Sequence, residues 1–170
     1  MIFVTVGTHE QPFDRLVSYV DALVESGRIK EEVVIQIGFS NYEPIHCRWS
    51  KLLPHKDVKS LVQDARVVIT HGGPASFMMP LLEGKVPIVV PRHAKFDEHV
   101  NDHQVHFCQE VARRQKNIIL VEDLTKLAEA IEHYDETVRD MQTGTKSNNE
   151  QFNNRFREIV NELFTEKNTK

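Results

Sequence analysis

A parallel α/β fold is the class this sequence predicts, and three observations carry the prediction. Short β-branched runs alternate with longer segments of helical period. The runs are apolar almost throughout instead of at every second residue, as expected of strands covered on both faces. Glycine-rich turns follow two of them, at Gly7 and at Gly72-Gly73. The strands expected are Ile2–Val6, Val33–Ile37, Val67–Thr70, Ile88–Val90 and Ile118–Val121.

The helices follow from apolar spacing. Phe13–Val24 carries Leu16, Val17, Val20 and Leu23 on one face, Val58–Ala65 forms a shorter helix, and Asp123 opens another with Leu124, Leu127, Ala128 and Ile131 aligned. The composition changes after Met141. Gln142–Asn149 reads as a polar linker, and Phe152, Phe156, Ile159, Val160, Leu163 and Phe164 then form one apolar stripe of a helix from about Gln151 to Phe164. The chain therefore divides into a domain over 1–141 and a linker with a C-terminal amphipathic helix over 142–170. That helix either packs back on its own domain or faces a partner.

Size and charge narrow the functional classes. At 170 residues one core is expected, and 21 basic against 25 acidic residues describe an ordinary surface without the clustered basic excess of a nucleic-acid binder. Apolar runs such as Val86–Pro91 are far short of a bilayer span. The N-terminal stretch has no positive region and no small-residue cleavage site, so a signal peptide is not expected. Cys47 and Cys108 lack CxxC spacing, which points to a reduced, cytoplasmic setting.

Three segments carry the candidate chemistry. Val4–His9 is a strand followed by a small-residue turn; Gly7 and Thr8 would expose backbone N–H groups to phosphate at a helix start, although the pattern is not GxGxxG and a tight turn that simply needs glycine explains it equally. Val67–Ser76 is a buried strand, two glycines, and a helix opened by Pro74, whose missing N–H costs nothing there. The amides of Ala75 and Ser76 would face an anion, with Gly72 and Gly73 letting phosphates approach the backbone. Pro91–Gln104 gathers polar groups beyond the fourth of these strands, at the edge where ligands of open α/β sheets collect. His99 and His103 have i, i+4 spacing, but HxxxH without the glutamate of a metalloprotease motif does not predict zinc. No metal and no cofactor are expected.

With VTVGTHEQPFDRL (Val4–Leu16), ARVVITHGGPASF (Ala65–Phe77), GKVPIVVPR (Gly84–Arg92) and EHVNDHQ (Glu98–Gln104) in this order, the sequence resembles the glycosyltransferase family 28 C-terminal domain from Met1 to about Glu132. It is most similar to small capsule and exopolysaccharide transferases and to the catalytic subunit of the split dolichol-pathway transferase of N-acetylglucosamine. The resemblance implies a Rossmann-like parallel sheet, the C-terminal, donor-binding half of a GT-B glycosyltransferase. It further implies a UDP-hexose donor, with galactose or glucose favoured over N-acetylglucosamine, and a polyprenyl-diphosphate-linked saccharide as acceptor. A membrane-associated, acceptor-binding partner would bring the chain to the cytoplasmic face of the membrane.

Carried over residue by residue, the resemblance implies that uracil is read by backbone at Leu53-Pro54-His55 and that the diphosphate lies over Gly72, Gly73, Ala75 and Ser76, with Gly7 and Thr8 facing it. His103 and Gln104, with Asn101 beside them, would contact the sugar or phosphates. Arg92 would stabilise the departing UDP, and His9 is the local candidate for the general base. Many family members hold the ribose with a glutamate where this chain has Met79. The competing expectations are a regulatory module that binds UDP-sugar without catalysis and a hydrolase built on the histidines; the latter lacks any GxSxG motif.

Overall fold

The computed structural model describes residues 1–141 together with Arg155 and Arg157. The linker and the apolar stripe expected of the C-terminal helix lie outside the described residues.

Six parallel strands form one sheet: β1 (Ile2–Thr5), β2 (Val33–Gln36), β3 (Arg48–Ser50), β4 (Val67–His71), β5 (Ile88–Val90) and β6 (Ile119–Leu120). Their spatial order is β3-β2-β1-β4-β5-β6. Between them run α1 (Asp14–Glu25), α2 (His55–Asp64), α3 (Pro74–Leu82) and α4 (His103–Gln115), with α5 (Leu127–Glu132) and α6 (Tyr134–Val138) closing the domain. Every residue of β1, β2, β4 and β5 is buried, which is why those runs are apolar without alternation.

Two cores sandwich the sheet. Ile2, Val4, Val6, Ile35, Ile69 and Val90 point to the face covered by α1 and α5, while Phe3, Val34 and Val68 meet Val62 and Ala65 of the α2 segment. Further along that second face, Val89 packs with Phe77 and Leu81 of α3 and Cys108 of α4. At roughly 25 cal/mol per Å², a fully buried Leu or Phe among these contributes about 1.5–3 kcal/mol by leaving water.

Three expectations are corrected. The edge strand β3, whose Arg48 and Trp49 are exposed, has no apolar run to betray it. Helix α2 begins three residues earlier than the apolar spacing suggests, directly after Pro54, whose fixed φ of −56° suits a helix entry. The Gly7 turn does not lead straight into a helix: α1 starts at Asp14, and residues 7–13 form a loop.

Candidate functional site

The strand order reverses between β1 and β4, and a cleft of about 560 Å³ opens there at the carboxyl ends of β1, β2 and β4. One wall is apolar: Leu53, Val58 and Val62 face Met79. The polar side chains of the lining are Thr8, His9, His55, His71 and Ser76, Ala75 joins them in the first turn of α3, and Thr5 and Gln36 line it at the ends of β1 and β2. The sheet puts these groups together because each stands at the end of a strand or the start of the element that follows it.

His71, the last residue of β4, organises the turn into α3. Its Nδ1 accepts the Gly73 N–H at 3.0 Å, so Nε2 carries the proton of the neutral ring and donates to Ser76 Oγ at 2.8 Å. The Ser76 hydroxyl hydrogen is left to point elsewhere. The Ser76 N–H is already bonded to the Gly73 carbonyl at 3.0 Å, and Pro74 has none. The first turn of α3 therefore offers an anion the Ala75 amide, the Ser76 hydroxyl and the positive end of the helix dipole. Of the two amides expected to face an anion, Ala75 and Ser76, the second is thus already engaged.

The two glycines also serve a different purpose from the one expected. A Cβ on Gly73 would overlap the His71 ring, and one on Gly72 would stand 2.9 Å from Cys108 Sγ and 3.1 Å from Gln104 Oε1. They let β4 and α3 close around His71 and α4, and only Gly73 of the two lines the cleft. Gly7, at φ +75°, meets His71 from the other side, where a Cβ would again strike the ring. A substitution at Gly73 thus displaces His71 before it reaches any ligand.

Burial pushes the pKa of the His71 imidazole down to about 4, the Arg92 charge acts in the same direction, and the neighbouring Gln104 carboxamide opposes them. Above pH 6.5 the folded and unfolded chains both keep this ring neutral, and its contribution to stability is complete. As the pH falls from 6.5 toward 4 the unfolded chain takes up the proton and the folded chain does not, so stability is lost. Urea denaturation at pH 5 and pH 7 should show a difference of roughly 2 kcal/mol in the wild type that His71→Gln lacks. The slope remaining in the variant belongs to His9 and His93, both lowered chiefly by burial.

His9 lies in the cleft with its ring edge-to-face on His99, 4.9 Å between centroids. Burial, then the Arg92 and His99 charges, lower its affinity for a proton. Its Nδ1 accepts the Gln11 N–H at 3.3 Å, which occupies the basic lone pair of the neutral ring and leaves Nε2–H as a donor. In this arrangement His9 is equipped to donate to an anion, and service as a general base requires the other tautomer and release of the Gln11 amide.

Among the described residues Arg92 is the largest fully buried side chain, at 0% exposure, and both of its Nη atoms are taken by the backbone while Nε has no partner. Nη1 donates to the carbonyls of Gln11, Pro12 and Glu98 at 2.8, 3.2 and 3.1 Å, and Nη2 donates to Val6 at 2.9 Å. Burial holds its pKa down to about 10, so it stays charged at neutral pH. It ties the Gly7–Phe13 loop to the segment after β5 and does not line the cleft, so stabilisation of a departing diphosphate, the role expected of it, is left to its charge alone. Beside it, buried Glu98 receives two hydrogen bonds from Arg15 at 2.7 and 2.9 Å and one from the His93 amide at 3.0 Å. Sequence reasoning gave Glu98 no role; a lone carboxylate in a polar block carries no sign that it will be enclosed.

Of the residues singled out in the sequence, Gly7, Thr8, His9, His55, Gly73, Ala75 and Ser76 line the cleft, and Gly72, Arg92, Asn101, His103 and Gln104 do not. Gln104 is buried, with Oε1 accepting the Arg92 amide at 3.3 Å. Asn101 and His103 are exposed; Asn101 Oδ1 accepts the His103 amide at 3.0 Å, and the His103 ring stacks on Phe107. Thr5, Gln36 and His71 were missed as site residues, and their shared signal is a polar side chain closing an otherwise apolar strand. The thiols of Cys47 and Cys108 are buried and pushed up to about 12. Among the described residues no three His, Cys, Asp or Glu side chains are grouped to hold a metal ion, and no helix is long and apolar enough to cross a membrane.

A parallel sheet wound in both directions from β1 and β4, with a cleft at its switch point, defines the doubly wound class of α/β domain, whose ligands collect at that point. Residues 1–163 match the family described as the glycosyltransferase family 28 C-terminal domain, and the chain belongs to that family. Among solved structures it is similar to the glycosyltransferase SnogD from Streptomyces nogalater, at 17% identity and a TM-score of 0.50. The match covers 84% of this chain and 40% of SnogD, so the chain spans less than half the length of that enzyme. No curated protein sequence matches it. The chain is a glycosyltransferase domain with the Rossmann-like fold of the C-terminal half of a GT-B enzyme.

Proposed function

We propose that this chain is the catalytic, UDP-sugar-binding subunit of a two-component inverting glycosyltransferase. It transfers a hexose, galactose or glucose, to a polyprenyl-diphosphate-linked saccharide in capsule or exopolysaccharide synthesis. The observation that carries this reading is the two-ended cleft. Its apolar wall at Leu53, Val58 and Met79 suits a base and ribose, and the α3 N-terminus with Ala75 N–H and Ser76 Oγ suits a diphosphate. Thr8 and the His9 Nε2–H stand on the other side of that end.

Departure of UDP places negative charge on the diphosphate, and the helix dipole with these donors stabilises it without a metal. Arg92 acts only through its field. The base that deprotonates the acceptor hydroxyl comes from the acceptor-binding partner, a membrane-associated protein that also recruits this chain to the cytoplasmic face. The alternative is a regulatory module that binds UDP-sugar without transfer; the Met79 side chain in the wall, where relatives use glutamate on the ribose, favours it.

Ligand-observed NMR with the full chain should show saturation transfer to UDP and little to ADP, and equal transfer to both removes the reading. With the partner co-expressed and lipid acceptor added, UDP release from UDP-galactose or UDP-glucose separates the enzyme from the regulator. In that assay His9→Gln, which restores an N–H near the Nε2 position, should keep most of the transfer rate. Loss of transfer at unchanged UDP affinity would return His9 to the role of base.

A further inference from the structure

Gln36 closes β2 and lines the cleft there, while only 4% of the residue is exposed. In register it stands beside Thr5 of β1, which stands beside Thr70 of β4, so three polar side chains form a row across neighbouring parallel strands. They point to the same face as Phe3, Val34 and Val68, two residues earlier in each strand, where everything else is apolar. Thr5 Oγ1 accepts the Gly7 amide at 3.2 Å. Gln36 Oε1 has no hydrogen-bond partner among the described residues and is itself enclosed, so it meets the cleft only when the carboxamide turns about its last bond.

A buried carbonyl oxygen without a partner is destabilising, and an apolar side chain of the same length would pack here without that cost. What completes it must be a donor. The oxygens of an ionised diphosphate are acceptors, so the group cannot be the phosphate end of the ligand. On a nucleoside diphosphate the remaining donors are the imide N–H of the base and the hydroxyls of the ribose. The apolar wall beside Gln36 is where that nucleoside would lie.

We infer that Gln36 is a specificity-determining residue of the donor site, its Oε1 accepting a hydrogen bond from a donor on the nucleoside, and this rests on the UDP-sugar reading above. Phosphate alone does not engage it. A nucleoside diphosphate stripped of that one donor binds the wild type as weakly as the intact ligand binds a chain without the carboxamide.

The test is calorimetric titration of the full chain with UDP, 2′-deoxy-UDP, 3′-deoxy-UDP and N3-methyl-UDP, in the wild type and in Gln36→Met, with Gln36→Leu as a second apolar variant should Met fold poorly. Thermal melting without ligand is measured in parallel. The expected result is a loss of UDP affinity of about tenfold in the variant, with ligand-free melting at or above that of the wild type. One analogue should weaken wild-type binding comparably and lose nothing further in Gln36→Met: N3-methyl-UDP if the donor is the base imide, a deoxy analogue if it is the ribose. Unchanged UDP affinity in the variant overturns the inference alone, as does a melting temperature that falls in step with affinity, or an equal further loss for all the analogues. A wild type that binds none of these nucleotides overturns the donor reading itself, and this inference with it.

Discussion

Ala75→Asp is expected to lose UDP affinity by a hundredfold or more while the ligand-free protein melts no lower than wild type. Ala75 is exposed in the first turn of α3, with Pro74 before it and no backbone partner for its amide. A carboxylate there is favourable to the helix by about 0.3–1 kcal/mol, because it faces the positive end of the dipole. The same carboxylate occupies the place of a diphosphate and repels it. Two unit charges 4 Å apart at an effective dielectric of 20 oppose each other by about 4 kcal/mol, well above the roughly 2.7 kcal/mol of a hundredfold change. Ala75→Asn adds nearly the same bulk without the charge and should bind much closer to wild type. Calorimetric titration of both variants decides the matter, and near-wild-type affinity in Ala75→Asp would remove the α3 N-terminus as the anion site.

Arg92→Met should destabilise the domain by about 3–5 kcal/mol in urea denaturation, with loss of ligand binding as a consequence. The substitution keeps an apolar stem but deprives the carbonyls of Val6, Gln11, Pro12 and Glu98 of their common donor. None of these can be repaired cheaply, since an unmet buried carbonyl costs about 1–3 kcal/mol. The guanidinium also lies 4.7 Å from the Phe13 ring centroid, at the point where the loop enters α1. Arg92→Lys supplies three donors from one nitrogen and should recover only part of the loss. A direct role on the departing diphosphate predicts the reverse: full stability and a defect confined to transfer.

Several parts of the fold were legible in the chain before any tertiary contact was considered. Runs such as Ile2–Val6 and Val67–Thr70 are buried on both faces, so their lack of alternation reports the layer they occupy. The start of α3 was legible too, since Gly73-Pro74 combines an extended N-cap with a residue that needs no amide partner. The edge strand β3 was not, because pairing on one side only asks little of side-chain character, and its Arg48-Trp49-Ser50 carries no pattern. The His103-Gln104 block was legible as polar but not as excluded from the cleft: α4 turns Gln104 inward against Gly72 and the Arg92 amide, and sends His103 to solvent.

By itself the sequence determined the α/β class, the positions of the main strands and helices, and the location of a glycine-rich helix start after His71. These follow from local periodicity and backbone chemistry within windows of about ten residues. Only the tertiary structure decided that Arg92 is a clamp on four carbonyls, that the basic nitrogen of His9 is taken, and that Gln36 lines one cleft with Thr5. Each of those depends on partners brought together by strand register or by loops, and a side chain's chemistry is set by what lies within hydrogen-bond distance of it, which sequence separation does not record.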